Sequence, residues 1–216
     1  MQYDSIVIHY SEIGLKGKNR EFFERKLIEN IRIAIGPFVG KVYWMYGRIA
    51  CELKENTPEE TIRKIESILY NIPGIASFVF SRNIALDIET IKKTSLEVAE
   101  EKMRDILESR KESKRSLPIS FKIAAKRSNK HFEYTSNELN IMIAEVVYDN
   151  LNGKYNLTVD LKSPDAAICI EVCEKNAFVY SDKITGLGGL PVGCSGKIIS
   201  SISGGIDSPV ASFMMM

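Results

Sequence analysis

The segment SGGIDS, from Ser203 to Ser208, contains the residue types that hold phosphate in a loop. Gly204 and Gly205 let the backbone approach a ligand closely and adopt positive φ, which would turn successive N–H groups toward one anion. The two serines add hydroxyl donors. Asp207 would repel a phosphate unless a cation lay between them, so we expect Mg²⁺ against the phosphates. The residues predict a phosphate-binding loop; the alternative is a glycine turn in which Asp207 and Ser208 only cap a helix.

A strand before this loop and a helix after it are predicted to position it. The apolar run KIISSI (197–202) is typical of a buried strand, and Pro209 suits the first turn of a helix. The N-terminus of that helix would attract an anion through its dipole. Two other phosphate patterns, G-x-G-x-x-G from Gly186 and a G-x-x-x-x-G-K-[ST] pattern through Lys197, are excluded because both need glycine where Pro191 stands.

Residues 1–82 carry the pattern of a ferredoxin-like βαββαβ unit. Strands are predicted at SIVIHY, KVYWMY, RIACEL and ASFVFS, with a tight hairpin at Gly47. A first helix, over 19–35, has apolar residues at helical spacing and Asn19 as its N-cap. A second helix is predicted to start with Thr57 as N-cap and Pro58 at its first position.

Residues 83–182 predict a second domain of mixed α/β type. Helices are expected over 90–109 and from the cap Thr135 to a stop at Asn152 and Gly153. Strands are expected at LPISFKIAA, LTVDLK, AAICIEVC and AFVYSD. The segment 183–196 contains GLGGLPVG, with four glycines and a proline, and is predicted to be a linker.

Basic residues are concentrated in one segment, although the formal net charge of +1 neither favours nor excludes a nucleic-acid partner. From Lys111 to His131 there are seven Lys or Arg residues and one Glu. Such a patch on a neutral protein can bind a polyanion, or it can be a solvated face with a mobile loop. Charge alone leaves both interpretations open.

Composition argues against several classes of protein. No apolar run reaches the roughly 20 residues that span a bilayer, and the pattern of the first residues does not suggest export. Four cysteines without a C-x-x-C pair and two histidines far apart predict neither a disulfide scaffold nor a zinc site. We therefore expect a cytoplasmic protein without membrane contact, in which Cys169 and Cys173 are buried, inert thiols on one face of a strand.

Three segments resemble, in the same order, the tRNA 4-thiouridine synthetases of the ThiI family. They are YSEIGLKGKNREFFE (10–24), FKIAAKRSNKHFEYTSNELN (121–140) and GLGGLPVGCSGKIISSISGGIDSPVA (186–211). The last contains the SGGxDS signature of PP-loop ATP pyrophosphatases. The resemblance implies the domain order of that family: a ferredoxin-like domain over 1–82, a THUMP RNA-binding domain over 83–182, a linker over 183–196, and the start of a PP-loop domain over 197–216.

The resemblance implies a tRNA-modifying sulfurtransferase that uses ATP. ATP would adenylate a uridine of tRNA, and a persulfide sulfur carried by a donor protein would displace AMP to give 4-thiouridine. The expected ATP-binding residues are the loop residues above, with Asp207 acting on Mg²⁺ indirectly, and two positions just upstream. In full they are Ser201, Ile202, Ser203, Gly204, Gly205, Asp207 and Ser208.

The first two domains are expected to bind the acceptor end of tRNA. The candidate RNA contacts on the basic strand and loop are Lys122, Lys126, Arg127 and Lys130. Such a loop fits recognition of RNA by phosphate and shape better than readout of bases in a deep groove. Lys16, Lys18 and Arg20 are weaker candidates, since they are explained equally well as solvated loop charges. A second copy of the chain is left open as a partner.

The chain departs from the family pattern after the linker. One strand, the loop and the start of a helix stand where the family has a full α/β sheet, and no catalytic residue of the family is matched. We therefore expect a fragment that binds tRNA and is inactive alone. Two alternatives stay open: a stand-alone THUMP-type RNA-binding protein without catalysis, and a PP-loop synthetase for a small molecule, which would give no reason for the basic segment.

Overall fold

The computed structural model describes residues 3–45, 47–112 and 118–215. These residues form the mixed α/β structure that the sequence predicts. In chain order the elements are β1 (Ser5–His9), α1 (Arg20–Ile35), β2 (Val39–Met45), β3 (Arg48–Leu53), α2 (Glu59–Tyr70), β4 (Ser77–Ala85), α3 (Ile88–Glu112), β5 (Ile119–Arg127), α4 (Ser136–Tyr155), β6 (Leu157–Val159), β7 (Ala166–Val172), β8 (Asn176–Tyr180), β9 (Ile184–Thr185) and α5 (Asp207–Met215).

The order β1-α1-β2-β3-α2-β4 confirms the predicted βαββαβ pattern, although both helix starts differ in detail. The Asn19 side chain makes no capping hydrogen bond to α1. A short 3-10 turn over Gly17–Asn19 already gives the backbone before α1 a helical conformation, so the chain does not enter the helix from an extended cap. Helix α2 begins at Glu59, and Pro58, rather than Thr57, is its N-cap because Pro58 has an extended ψ of 150°.

Contacts divide the chain into two units, each assembled from several segments. The first unit comprises residues 8–51, 57–78 and 185–216, and the second comprises residues 1–7, 52–56 and 79–184. Strands follow the order β2-β3-β1-β4 in one part of the sheet and β4-β8-β7-β5-β6 in the other, with β9 beside β4. Among the described helices, none is long and apolar enough to cross a membrane.

The first unit buries the apolar faces of two helices. Leu27, Ile31 and Ile35 of α1 and Ile65 and Leu69 of α2 are all buried, and their spacing of four residues is that of a helix face. The turn between β2 and β3 is tight, as predicted, and its glycine, at position 47, has φ of +79°. The residue at position 46, the last of the predicted strand KVYWMY, lies outside the described residues.

The glycine-rich segment 186–193 is irregular, as predicted, but it is also fixed by backbone hydrogen bonds. The N–H of Gly74 donates to the carbonyl of Gly188 at 2.7 Å, and the N–H of Gly188 donates to the carbonyl of Ile75 at 2.7 Å. Both glycines have positive φ. Pro191 packs so closely on Gly74 that a Cβ there would lie 3.1 Å from the Pro191 ring. These contacts hold the segment against the rest of the first unit.

The second unit is built around β5, which lies between two parallel neighbours. Phe121 pairs with Val159 of β6 on one side and with Ala166 of β7 on the other. Strand β7 continues antiparallel into β8, and β8 pairs antiparallel with β4. Apolar residues from α3 and α4 form one buried cluster with the inward residues of these strands. The start of α4 is confirmed by a capping box, in which Thr135 and Glu138 satisfy each other's backbone N–H groups.

The predicted stop of α4 is two residues too early. The helix continues past Asn152 and Gly153 to Tyr155, because Leu151 and Tyr155 are buried on the same face as the rest of the helix. It ends where Asn156 adopts a left-handed conformation with φ of 50°. Helix α3 is likewise longer than the predicted 90–109. Part of the basic segment, residues 113–117, lies outside the described residues.

The predicted strand KIISSI is wrong. Residues 197–202 have no regular secondary structure, and the Ile199 side chain is fully exposed. A β-strand needs neighbouring strands to satisfy its backbone and cover its side chains. Within the described residues no strand pairs with this segment, so its apolar composition does not produce a strand. The helix predicted after the loop does form, as α5, and Pro209 lies in its first turn.

Candidate nucleic-acid interface

Strand β5 places its residues alternately on two faces of the sheet in the second unit. The odd-numbered residues from Ile119 to Ala125 are buried in the cluster with α3 and α4. Successive side chains on a strand point to opposite faces. Lys122 and Lys126 therefore lie on the face away from the helices, as two of the four predicted RNA contacts.

These two lysines mark opposite ends of a strip along β5. The Lys122 Nζ lies 3.5 Å from the carbonyl oxygen of Leu161, in the loop before β7. Lys126 is exposed and stands beside Glu171 in the parallel register of β5 and β7. Residues four apart on a strand are about 13 Å apart. The strip is therefore long enough to contact successive phosphates of one strand.

Beside this strip, β7 carries a buried carboxylate and a thiol. Glu171 is buried and accepts a hydrogen bond from the Tyr180 hydroxyl at 2.8 Å. Cys169 is half-buried, not buried as predicted, because it pairs with Ala124 on the face of the sheet away from α3 and α4. Burial raises the pKa of the Cys169 thiol, and the charge of Glu171 raises it further. The thiol is therefore protonated at neutral pH and is a poor nucleophile. Cys173 is buried, as predicted.

Arg127 ties down the loop that follows β5. One of its terminal nitrogens donates to the carbonyl of Phe132 at 3.0 Å and to that of Tyr134 at 3.2 Å. The rings of these two residues stack edge to face at 6.1 Å and pack against the core cluster. These contacts tie the end of β5 to the end of the loop. One terminal nitrogen of Arg127 therefore has a structural role, and the contact of Arg127 with RNA stays a prediction.

Lys130 and Lys175 lie at the same edge of the sheet. Lys130 is exposed in the loop after β5, and Lys175 is exposed in the turn after β7. Because β5 and β7 are parallel and end together at Arg127 and Val172, the loops that follow them begin side by side. Sequence reasoning missed Lys175, since its turn is short and only the strand register shows that it joins the basic loop.

The three weaker candidates near the N-terminus have different surroundings. The Lys16 ammonium lies 5.5 Å from the centre of the Phe23 ring. Arg20 is bound to Glu24, with Nε 2.6 Å from the carboxylate oxygen. Lys18 makes no ion pair with any residue that the structure describes, and it lines a cleft that also contains Trp44. Sequence reasoning treated Trp44 only as part of a strand, so its position in a basic cleft was missed.

The terminal loop is closed by its own serines. The Ser208 hydroxyl accepts from the backbone N–H of Ser203 at 2.8 Å and lies 3.0 Å from the Ser203 hydroxyl. The Ser203 hydroxyl in turn accepts from the N–H of Gly205 at 3.3 Å. Residues 201–207 are exposed and lead into α5 at Asp207. The predicted ATP-binding residues are thus contiguous and accessible at the N-terminus of a helix.

The predicted backbone conformation of the two loop glycines is wrong. Neither Gly204 nor Gly205 has positive φ. The N–H of Gly205 is directed at the Ser203 hydroxyl, so the internal hydrogen bond replaces the nest that positive φ would form. Among the described residues, no three His, Cys, Asp or Glu side chains converge as a metal site requires. The Mg²⁺ prediction therefore rests on Asp207 alone.

Three family models match successive parts of the chain. The ThiI ferredoxin-like domain matches residues 5–79, the THUMP domain matches residues 87–182, and the model described as thiamine biosynthesis protein (ThiI) matches residues 193–216. The matches occur in the order that the sequence predicts.

Curated relatives are similar along the whole chain. A probable tRNA sulfurtransferase of Natranaerobius thermophilus is 34% identical over 99% of this chain and 49% of its own length. One of Brevibacillus brevis is 35% identical over 100% of this chain and 50% of its own length. The chain spans about half the length of the curated relatives it matches.

Two solved structures share the fold. A 4-thiouridine synthetase–RNA complex with bound ATP has a TM-score of 0.78 and 33% identity, covering 98% of this chain and 49% of that one. A Pyrococcus horikoshii protein has a TM-score of 0.82 and 29% identity, covering 98% of this chain and 64% of that one.

Proposed function

This chain belongs to the ThiI family and comprises the ferredoxin-like domain, the THUMP domain and a short start of the ThiI domain, and from this we propose its function. The protein binds tRNA as the N-terminal portion of a sulfurtransferase that converts a tRNA uridine to 4-thiouridine. The observation that carries the proposal is the likeness, at 33% identity, to a 4-thiouridine synthetase in complex with RNA. The names of the curated tRNA sulfurtransferases support the same reaction.

The RNA contacts are proposed to centre on the C-terminal edge of β5. Lys126 and Lys130 are exposed there, and the turn after β7 adds Lys175. Lys122 extends the basic strip along the strand. Arg127 contributes mainly by holding the loop through the carbonyls of Phe132 and Tyr134. A strip of ammonium groups on a rigid edge recognises the phosphates and shape of a tRNA acceptor end without readout of bases.

The terminal loop is proposed to take part in ATP binding. Its exposed serine hydroxyls and the N-terminus of α5 favour the phosphates of ATP, and Asp207 would act through Mg²⁺. When bound, ATP supplies the adenylating group, and a persulfide-carrying donor protein supplies sulfur. Because the ThiI model matches only residues 193–216, we propose that these 216 residues bind tRNA without completing the reaction alone.

Two assays on the same preparation test the proposal. Filter binding with unmodified tRNA should show affinity that falls as KCl rises, because Lys side chains displace counterions from phosphates. Incubation of the chain with tRNA, ATP, Mg²⁺ and a persulfide donor should give no 4-thiouridine. Affinity that does not change with salt would refute the RNA assignment. Formation of 4-thiouridine would refute the proposal that this chain is inactive alone.

A further inference from the structure

A cleft of about 520 Å³ opens on the first unit. Its walls come from the turn before α1, the first half of α1 and the end of β2. They carry the cations Lys18 and Arg25, the apolar side chain of Ile28 and the indole of Trp44. A flat aromatic ring beside cations is the combination with which proteins hold unpaired nucleotides.

The indole is hydrogen-bonded to a buried carboxylate. Glu24 is buried and lies against Arg20, whose Nε is 2.6 Å from its oxygen. The Tyr10 hydroxyl also donates to Glu24, and Arg20 donates to that hydroxyl at 2.8 Å. Burial tends to raise the pKa of Glu24, but hydrogen bonds from Tyr10, Arg20 and Trp44 outweigh it and lower the pKa. Glu24 is therefore ionised and holds the Trp44 side chain by a hydrogen bond.

The Trp44 side chain lines the cleft and is partly exposed there. The side chain is anchored by its hydrogen bond to Glu24, yet the residue is 47% exposed. An anchored ring loses little conformational entropy when a planar group stacks on it. A large aromatic residue on a strand of a folded domain is normally buried, so a fixed and half-exposed one indicates a binding surface.

The cations at the cleft suit a phosphate. Lys18 makes no ion pair with any described residue. Arg25 pairs with Glu21 at 2.5 Å, but both side chains are about three-quarters exposed, at 76% and 73%. An exposed pair of this kind contributes about 0–1 kcal/mol, so a phosphate can replace the carboxylate at little cost.

We propose that this cleft binds an unpaired nucleotide of the RNA, with the base stacked on Trp44 and its phosphate between Lys18 and Arg25. The inference rests on the proposed RNA-binding function and adds a second, single-strand-specific contact to it. Glu24 is a positioning residue, since it acts on the RNA only through the Trp44 indole. Ile28 supplies the apolar wall against which the edge of the base packs.

The chain contains one tryptophan, so its intrinsic fluorescence reports on this cleft directly. The probe is a 5′-phosphorylated adenosine pentanucleotide, compared with a blunt RNA hairpin without unpaired ends. The pentanucleotide should quench the emission saturably and with salt dependence, and the hairpin should not. Unchanged emission with the pentanucleotide would overturn the proposal and leave the cleft to a protein partner.

Variants measured by anisotropy of a fluorescein-labelled pentanucleotide complete the test. Trp44→Leu should weaken binding about tenfold or more, while Trp44→Phe should retain most of it, because base stacking is worth about 1–3 kcal/mol. Tyr70→Leu, at an aromatic residue that is 50% exposed outside the cleft, is the matched control and should change nothing. Equal affinities for Trp44→Leu and Tyr70→Leu would contradict the proposal.

The role of Glu24 has its own readout. Glu24→Gln should lower the anisotropy of Trp44 emission in the free protein, because the ring is no longer held by a charged acceptor. The same variant should bind the pentanucleotide more weakly. An unchanged anisotropy together with unchanged affinity would exclude the positioning role. If these tests fail while the unmodified chain still binds tRNA with salt dependence, only the proposal for the cleft is refuted. If the unmodified chain does not bind tRNA at all, the proposed function is refuted as well.

Discussion

Strand β5 and the segment KIISSI are both apolar runs followed by a loop and a helix, but only β5 is a strand. β5 has a parallel neighbour on each side, and its inward residues are buried against α3 and α4. Residues 197–202 have no strand beside them among the described residues, and Ile199 is fully exposed. An apolar run of residues can therefore form a strand only where neighbouring strands and helices cover it.

Replacing an isoleucine in each segment gives the largest expected contrast. Ile119→Ala in β5 should lower the free energy of unfolding by about 2–5 kcal/mol, because it removes a buried side chain and leaves a cavity. Ile199→Ala should change it by less than about 0.5 kcal/mol. Urea unfolding followed by circular dichroism measures both. Equal effects would show that residues 197–202 pack against a core.

The loops after the two segments should also differ. Arg127→Ala removes the donor to the carbonyls of Phe132 and Tyr134 and should cost about 1–3 kcal/mol. Arg127→Lys should not restore it, because a lysine does not reproduce the geometry of the guanidinium. Ser203→Ala, in the exposed terminal loop, is the control and should leave the unfolding midpoint unchanged. A midpoint for Arg127→Ala equal to that of the unmodified chain would indicate that its hydrogen bonds contribute nothing.

The starts of α4 and α5 should differ by a smaller amount in their contribution to the free energy of unfolding. Thr135→Ala should lower the free energy of unfolding by about 1 kcal/mol, because it breaks the capping box of a helix that is packed in the core. Ser208→Ala, which opens the serine pair at the start of α5, should have no effect on global unfolding, because the described residues of α5 are not buried. Thermal unfolding of both variants distinguishes the two helices.

The smallest expected effect is a pH dependence at Asp165. Burial tends to raise the pKa of Asp165, but the hydrogen bonds from Ser120 and the ion pair with Arg110 outweigh it and lower the pKa. The stabilisation is therefore complete above the unfolded-state pKa of about 3.9 and is lost as the pH falls through the lower folded-state pKa. The urea midpoint should fall less steeply between about pH 5 and 2 for Asp165→Asn than for the unmodified chain. The same dependence of the urea midpoint on pH in Asp165→Asn and the unmodified chain would contradict this assignment.

Local signals in the sequence were sufficient for most of the fold. The βαββαβ order, the hairpin at Gly47 and the cap at Thr135 depend on nearby residues, and the structure confirms them. Two of the wrong predictions, the strand at KIISSI and the end of α4, depend on distant residues. KIISSI lacks partner strands, and the end of α4 is set by the burial of Leu151 and Tyr155 in the core, not by Asn152 and Gly153.

The candidate interface was only partly predictable for the same reason. The sequence identifies Lys126 and Lys130 as charges in a basic segment, but the parallel register of β5 and β7 is needed to bring Lys175 to the same edge. The hydrogen bond between Trp44 and Glu24 joins residues that no motif connects. Turns can be predicted from residues that are adjacent in the sequence, whereas the side chains that meet at one edge are known only from the pairing of the strands.

The most direct test of the account is the salt dependence of tRNA binding by paired lysine variants. The double replacement Lys126→Ala and Lys130→Ala removes two charges from the edge, and Lys154→Ala with Lys183→Ala removes two exposed charges elsewhere in the second unit. In filter binding from low to moderate KCl, the first pair should reduce the slope of log K against log [KCl] by about 1.5 and weaken binding, because each phosphate contact contributes about 0.7–0.9 to the slope. The control pair should match the unmodified chain. Equal slopes for the two pairs would contradict the claim that this edge binds tRNA.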